Sequence, residues 1–149
     1  MSHVLILEAR FYDHIADGLL DGVKAVLADA GVTYDIITVP GIYELPAAMS
    51  LVVEKARKDA TTTYDGFITL GCAIRGESDH YQFICAETMR SLSQLAVTHH
   101  LALGNGVLTV HNEEQALKRS DPARKNMGGQ AARACLTMLA LKRRLGVAS

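Results

Sequence analysis

Cysteine is scarce. Cys72, Cys85 and Cys135 are odd in number, widely spaced and set among apolar neighbours, which suits reduced core thiols and leaves no disulfide framework to propose. An excess of charge of one sign is missing too: fifteen basic and sixteen acidic residues are mixed along the chain, for a formal net charge of −1. The electrostatic footprint of a nucleic-acid or anionic-membrane binder is therefore absent, and a small molecule or another protein is the expected partner. No apolar run approaches the roughly 18 residues of a membrane span, and no charged segment followed by a long apolar stretch opens the sequence. A soluble cytoplasmic protein is the expectation. HxxxH, CxxC and clustered carboxylates do not occur, so no metal site is expected, and the glycines spell neither GxGxxG nor a P-loop. With no low-complexity linker or internal boundary, the 149 residues are expected to form one unit, 1–149, long enough to bury a core.

What is present is a repeating alternation. Residues 4–9 are a short apolar strand, after which Ile15, Leu19, Val23, Val26, Leu27 and Ala30 recur at helical spacing until Gly31. Residues 34–39 form a second strand closed by Pro40 and Gly41, and Leu45, Ala48, Met49, Val52, Val53 and Ala56 mark one face of a second helix. A third strand, rich in Phe67, Ile68, Leu70, Cys72, Ala73 and Ile74, precedes a helix whose inner face carries Tyr81, Ile84, Cys85, Thr88, Leu92 and Leu95. Residues 101–110 read as a fourth strand broken by Gly104 and Gly106, residues 113–119 as a short helix, and residues 126–145 as a long terminal one. Strict alternation of strands and helices implies a four-stranded parallel sheet with helices on both faces: a flavodoxin-like three-layer α/β/α sandwich.

In such sheets ligands bind beyond the carboxyl ends of the strands, where helix N-termini offer free amides to anions. Residues 70–81, LGCAIRGESDHY, run from a buried strand through Gly76, read as a sharp turn, into a helix that Ser78 or Asp79 can cap. His80 stands at that helix start, and an imidazole with a pKa of roughly 6.5 can shuttle protons at neutral pH. Phe11 follows the first strand, where an exposed ring suits stacking on a planar heterocycle or simple local packing. Gly41, Ile42, Tyr43 and Glu44 follow the second, where Pro-Gly chemistry alone would make a turn and Glu44 would favour a helix dipole. Arg119 ends the short helix; a guanidinium there could answer a carbonyl terminus or clamp a phosphate. Spacing alone does not choose between these readings.

Taken together, Arg10-Phe11, VPGIYELP at 39–46, LGCAIRG at 70–76 with His80-Tyr81, GVLT at 106–109, Glu114-Gln115-Ala116 with Arg119, and Asn126 with Gly128 resemble the lumazine synthase family of riboflavin biosynthesis, in family order over almost the whole chain. The resemblance implies condensation of 5-amino-6-ribitylamino-uracil with 3,4-dihydroxy-2-butanone 4-phosphate to 6,7-dimethyl-8-ribityllumazine, phosphate and water, without metal or organic cofactor. It implies that Phe11 stacks on the pyrimidine, that residues 42–44 with Gly41 bind ribityl hydroxyls, and that Ala73 and Ile74 meet the pyrimidine edge. His80 then moves protons, while amides at Glu77 and Ser78 hold the phosphate with Arg119. It also implies a homopentamer whose sites lie between subunits, with the Asn105, Arg119 and Asn126 regions supplied by the neighbour. A free pentamer, or a pair of pentamers, is expected rather than a shell. Three positions depart from the family pattern: Met127 where a lysine is usual, Asn105 where an aromatic is common, and Glu77 where a small residue is common. These departures motivate the alternative of a weak paralogue that binds or stores a lumazine or flavin.

Overall fold

Side chains of a strand point alternately to its two faces, and in this chain both alternating sets are apolar. The computed structural model describes residues 2–147; Met1, Ala148 and Ser149, the ends of the expected 1–149 unit, lie outside the described residues. β1 (His3–Ala9) sends Val4 and Ile6 to one face and Leu5, Leu7 and Ala9 to the other, all buried. β3 (Gly66–Ile74) does the same with Ile68, Leu70 and Cys72 against Phe67, and β4 (Leu103–Val110) with Leu108 and Val110 against Val107. A strand buried on both faces belongs in the middle of three layers. The sheet is all-parallel in the order β2-β1-β3-β4, with β2 (Thr33–Val39) an edge strand whose residues are mostly exposed.

Helices α1 (Asp13–Ala30), α4 (Glu113–Ser120) and α5 (Met127–Arg144) pack together beside the sheet, and α2 (Leu45–Lys58) pairs with α3 (His80–His99). Their buried residues divide accordingly: Ile15, Leu19, Ala132 and Cys135 join one core cluster, Leu45, Met49 and Leu92 the other. This is the expected three-layer flavodoxin-like sandwich. Among the described residues, no helix is long and apolar enough to cross a membrane.

Two expectations about glycine are corrected. β4 runs unbroken through Gly104 and Gly106; the glycines are there because α5 lies against the strand, and a Cβ on Gly104 would fall 1.8 Å from the Ala131 carbonyl oxygen. The equivalent close approach between α5 and α1 is at Gly128, whose Cβ would stand 2.0 Å from the Leu19 carbonyl oxygen. Gly76 meets no such demand: a Cβ there would have no neighbour within 4 Å, and its φ lies outside the left-handed region. Nothing in the described chain requires glycine at that bend.

Candidate active site

Because all four strands are parallel, the segments after β1, β2 and β3 emerge on one edge of the sheet. They enclose a cleft of about 450 Å³ whose walls include Phe11, Glu44, Ile74 and His80. Of the residues singled out in the sequence, Phe11, Gly41, Ile42, Tyr43, Glu44, Ala73, Ile74, Ser78 and His80 line it. Glu77 does not line it, and neither do Asn105 and Arg119.

Phe11 leaves the end of β1 with 73% of its surface exposed and a single ring contact, edge-to-face with Tyr12 at a centroid distance of 5.0 Å. An apolar ring so exposed beside a cleft is a free stacking surface. After β2 the chain tightens into a 3-10 turn, Ile42–Glu44. The Gly41 N–H donates to Glu44 Oε1 at 2.9 Å, and the Glu44 N–H donates back to the Gly41 carbonyl at 3.2 Å. Beneath the turn, the buried Thr88 hydroxyl of α3 donates to the Ile42 carbonyl at 3.5 Å. The carboxylate thus fixes the turn that brings Gly41 and Tyr43 to the cleft.

His80 is the first residue of α3; its N–H donates to Ser78 Oγ at 3.3 Å, while Asp79 makes no side-chain cap. Of the two expected caps, Ser78 is therefore the one in place. The imidazole is exposed and makes no hydrogen bond to another described residue. Such a ring is available to a ligand in the cleft for proton transfer.

The cleft also contains residues the sequence reading did not select. Tyr12, Cys72 and Tyr81 line it. Burial, helped by the neighbouring Cys85, pushes the Cys72 thiol up to about 12, so at neutral pH it is a neutral wall group and not a nucleophile. Burial likewise raises Tyr81, with Cys85 adding to the effect and the Thr109 hydrogen bond opposing it. The sequence carried one signal for Cys72, its place in the strand leading to His80, and one for Tyr81, its place beside His80, but none for Tyr12.

Arg119 and Asn105 lie elsewhere. Arg119 is half-buried and gives its Nη1 to the Gln115 carbonyl, one turn back in its own helix, at 3.3 Å. Asn105 borders a second, apolar groove of about 530 Å³, formed by α3, β4, α5 and Val147. Its Oδ1 accepts from the buried Thr69 hydroxyl at 3.0 Å and from the Val107 N–H at 3.1 Å. Met127 packs on the α1 side of the core beside the Asn126 cap of α5, whose Oδ1 accepts from the Gly129 N–H at 3.1 Å. In this chain Met127 is thus a packing residue.

Comparison with known proteins supplies the chemistry that fits this geometry. Residues 1–143 match the profile of the protein family described as 6,7-dimethyl-8-ribityllumazine synthase. The chain is 64% identical over 150 residues to the 6,7-dimethyl-8-ribityllumazine synthase of Paramagnetospirillum magneticum, covering 100% of both chains. It is 53% identical over 144 residues to that of Agrobacterium fabrum, covering 97% of each. The 6,7-dimethyl-8-ribityllumazine synthase 1 of Rhizobium meliloti is also 53% identical over 144 residues, covering 97% of this chain and 94% of that one.

Proposed function

The chain belongs to the 6,7-dimethyl-8-ribityllumazine synthase family, and we propose that the cleft walled by Phe11, Glu44 and His80 is where it carries out the family's reaction. That reaction is a transfer step of riboflavin biosynthesis. It condenses 5-amino-6-ribitylamino-uracil with 3,4-dihydroxy-2-butanone 4-phosphate to 6,7-dimethyl-8-ribityllumazine, releasing phosphate and water. The close relatives favour this activity over a role in storing lumazine or flavin.

One observation carries the site assignment: three strand ends bring a free aromatic ring, a tight turn and an unengaged imidazole to one cleft. Phe11 stacks on the pyrimidine, and the 41–44 turn receives the ribityl chain. Ala73 and Ile74 border the pyrimidine edge, which the apolar end of β3 shields from water. The amine of the pyrimidine attacks the ketone of the sugar phosphate and water leaves to give an imine; phosphate is eliminated, and the ribityl-bearing nitrogen then attacks the carbonyl this exposes, closing the ring with loss of a second water. At each stage a proton must leave a nitrogen or carbon or reach an oxygen, and His80 is placed to carry it. Amides at Glu77 and Ser78, just before α3, are the groups proposed to hold the phosphate. Holding both reactants in one geometry contributes up to roughly 7–11 kcal/mol in favourable cases, and general acid–base help adds about 10²–10⁴-fold.

The cleft lacks a cation among its lining residues, and Arg119 and Asn105 border other surfaces of the same chain. This supports a homopentamer in which each neighbour supplies those groups. The test mixes two impaired proteins at a low concentration of the phosphate substrate. His80→Ala should lower kcat by about 10²–10⁴-fold, and Arg119→Ala should chiefly raise KM for the phosphate substrate. Unfolding and reassembling the two together should rebuild about a quarter of the sites with both groups intact and restore activity. No recovery from correctly sized assemblies would reject the shared site, and normal kinetics in both single variants would reject the residue assignments.

A further inference from the structure

The end of β1 buries a charge that the reaction does not use. Glu8 is 4% exposed and stands in register with Thr38 of β2 and Leu70 of β3. Its Oε2 accepts from Arg10 Nε at 2.9 Å and from the Thr38 hydroxyl at 2.8 Å, while Oε1 has no partner among the described residues. Burying a carboxylate is costly even when it is paired, and Val4 and Ile6 fill the same face of β1 with apolar side chains. Packing alone would be better served by another of these.

The pairing continues outward. Arg10 gives Nη1 to Asp17 at 2.8 Å and to Asp13 at 3.2 Å, one helical turn apart on α1. Its N–H donates to the Val39 carbonyl at the end of β2 at 3.2 Å. The hydrogen bond to Glu8 is the largest of the effects on the guanidinium and holds it well above its ordinary pKa. One planar fork thus joins β1 to the first turns of α1, with Nε on Glu8 and Nη1 on the two aspartates, a geometry a lysine cannot reproduce, while the main-chain N–H of the same residue ties it to β2. Only Phe11 and Tyr12 lie between these anchors and α1. Phe11, with 73% of its surface exposed, has little packing of its own, so the placement of its ring follows from its backbone, and its backbone follows from the anchors.

We propose that Glu8 and Arg10 are positioning residues that hold the Phe11 platform over the cleft. The inference rests on Phe11 being the surface that receives the pyrimidine. Neither Glu8 nor Arg10 touches substrate; both act through the two-residue link that follows them.

The test is a double-mutant cycle on the assembled protein. Glu8→Gln and Arg10→Lys are made alone and with Phe11→Ala, and KM for each substrate and kcat are measured. Each single change should raise KM for the pyrimidine about 2- to 12-fold, the span of one aromatic stacking contact. KM for the sugar phosphate and kcat should stay within about twofold. In the Phe11→Ala background neither change should raise the pyrimidine KM further. Arg10→Lys, at a partly exposed position, carries the test if Glu8→Gln does not assemble. Effects that add to Phe11→Ala, or that raise both KM values alike, would reduce Glu8 and Arg10 to a structural tie and overturn the inference. An unchanged pyrimidine KM in Phe11→Ala would instead overturn the platform assignment, and the inference with it.

Discussion

Glu44 gives the sharpest test of how the turn after β2 works, because its carboxylate has a defined task in the protein itself. Glu44→Ala removes the acceptor that holds the Gly41 N–H at 2.9 Å. The other supports stay: the Leu45 N–H on the Ile42 carbonyl and the Thr88 hydroxyl on the same oxygen. Losing one exposed side-chain-to-amide bond of this kind costs about 0.5–2 kcal/mol. If that cost falls on the conformation that binds the ribityl chain, KM for the pyrimidine rises about 2- to 30-fold, since 1.4 kcal/mol is tenfold. The same loss lowers the thermal midpoint by about 1–8 °C for a chain of this size. Glu44→Gln keeps an oxygen where Oε1 stands, so it should stay within about twofold of the parent, as expected when the acceptor matters and the charge does not. The assay follows lumazine absorbance with each substrate varied in turn. If Glu44→Gln is as impaired as Glu44→Ala, with normal thermal stability in both, the carboxylate charge meets the substrate directly and the turn argument fails.

Two further outcomes concern the fold. Gly104→Ala and Gly128→Ala each place a Cβ within 1.8–2.0 Å of a backbone oxygen, so each should lose at least the roughly 1–3 kcal/mol typical of overpacking. Denaturant midpoints matching the parent's would show that α5 can move away freely. Alkaline stability provides the second. Burial raises Cys72 and Cys135 from 9.0 to about 12 in the folded chain, so the unfolded chain loses these protons first. The stabilisation is complete below pH about 9 and is lost as pH rises towards 12, with a slope of up to about 2.7 kcal/mol per pH unit for two protons. Denaturant titrations between pH 8 and 10.5 should show this slope, and a Cys72→Ala, Cys135→Ala double variant should largely flatten it. An identical slope in the double variant would assign it to other groups.

The fold was legible because it rests on the strongest signal a sequence offers. Apolar runs in β1 and β3 and 3.6-residue spacing in α1 and α2 each encode burial directly, so element order, strand number and layers follow. Glycine misled at β4 because close approach of α5 and a chain break leave the same letter in the sequence; only packing separates them. At Gly76 the chain does turn towards α3, but nothing in that turn requires glycine. Convergence of Phe11, the 41–44 turn and His80 was also legible, since parallel topology alone puts those strand ends together. Glu8 was not singled out, although its signal was present. An acid and a base two residues apart share one strand face, and Asp13 and Asp17 share one helix face. Read singly they are solvated charges; only their three-dimensional meeting makes them a network.

The electrostatics of the cleft bear on the proposal that its site is shared between subunits. Eliminating phosphate from a carbon skeleton develops negative charge on the leaving oxygens, and a cation or a set of amides must meet it. The cleft lining holds Glu44 and no lysine or arginine, and Glu77 beside it adds a second carboxylate. Amides at the start of α3 offset only part of this, because the dipole of one helix end amounts to about half a charge. At the same time Leu51, Phe83 and Val97 each expose more than 70% of their surface on α2 and α3, and the groove that includes Asn105 is walled largely by apolar side chains. Apolar surface of this kind is stabilised by burial against another chain. A single subunit thus has a cleft without a lysine or arginine among its lining residues and exposed apolar side chains on α2 and α3. In the proposed shared site, Arg119 of a neighbouring copy would supply the missing charge, and burial against that copy would cover the exposed apolar surface.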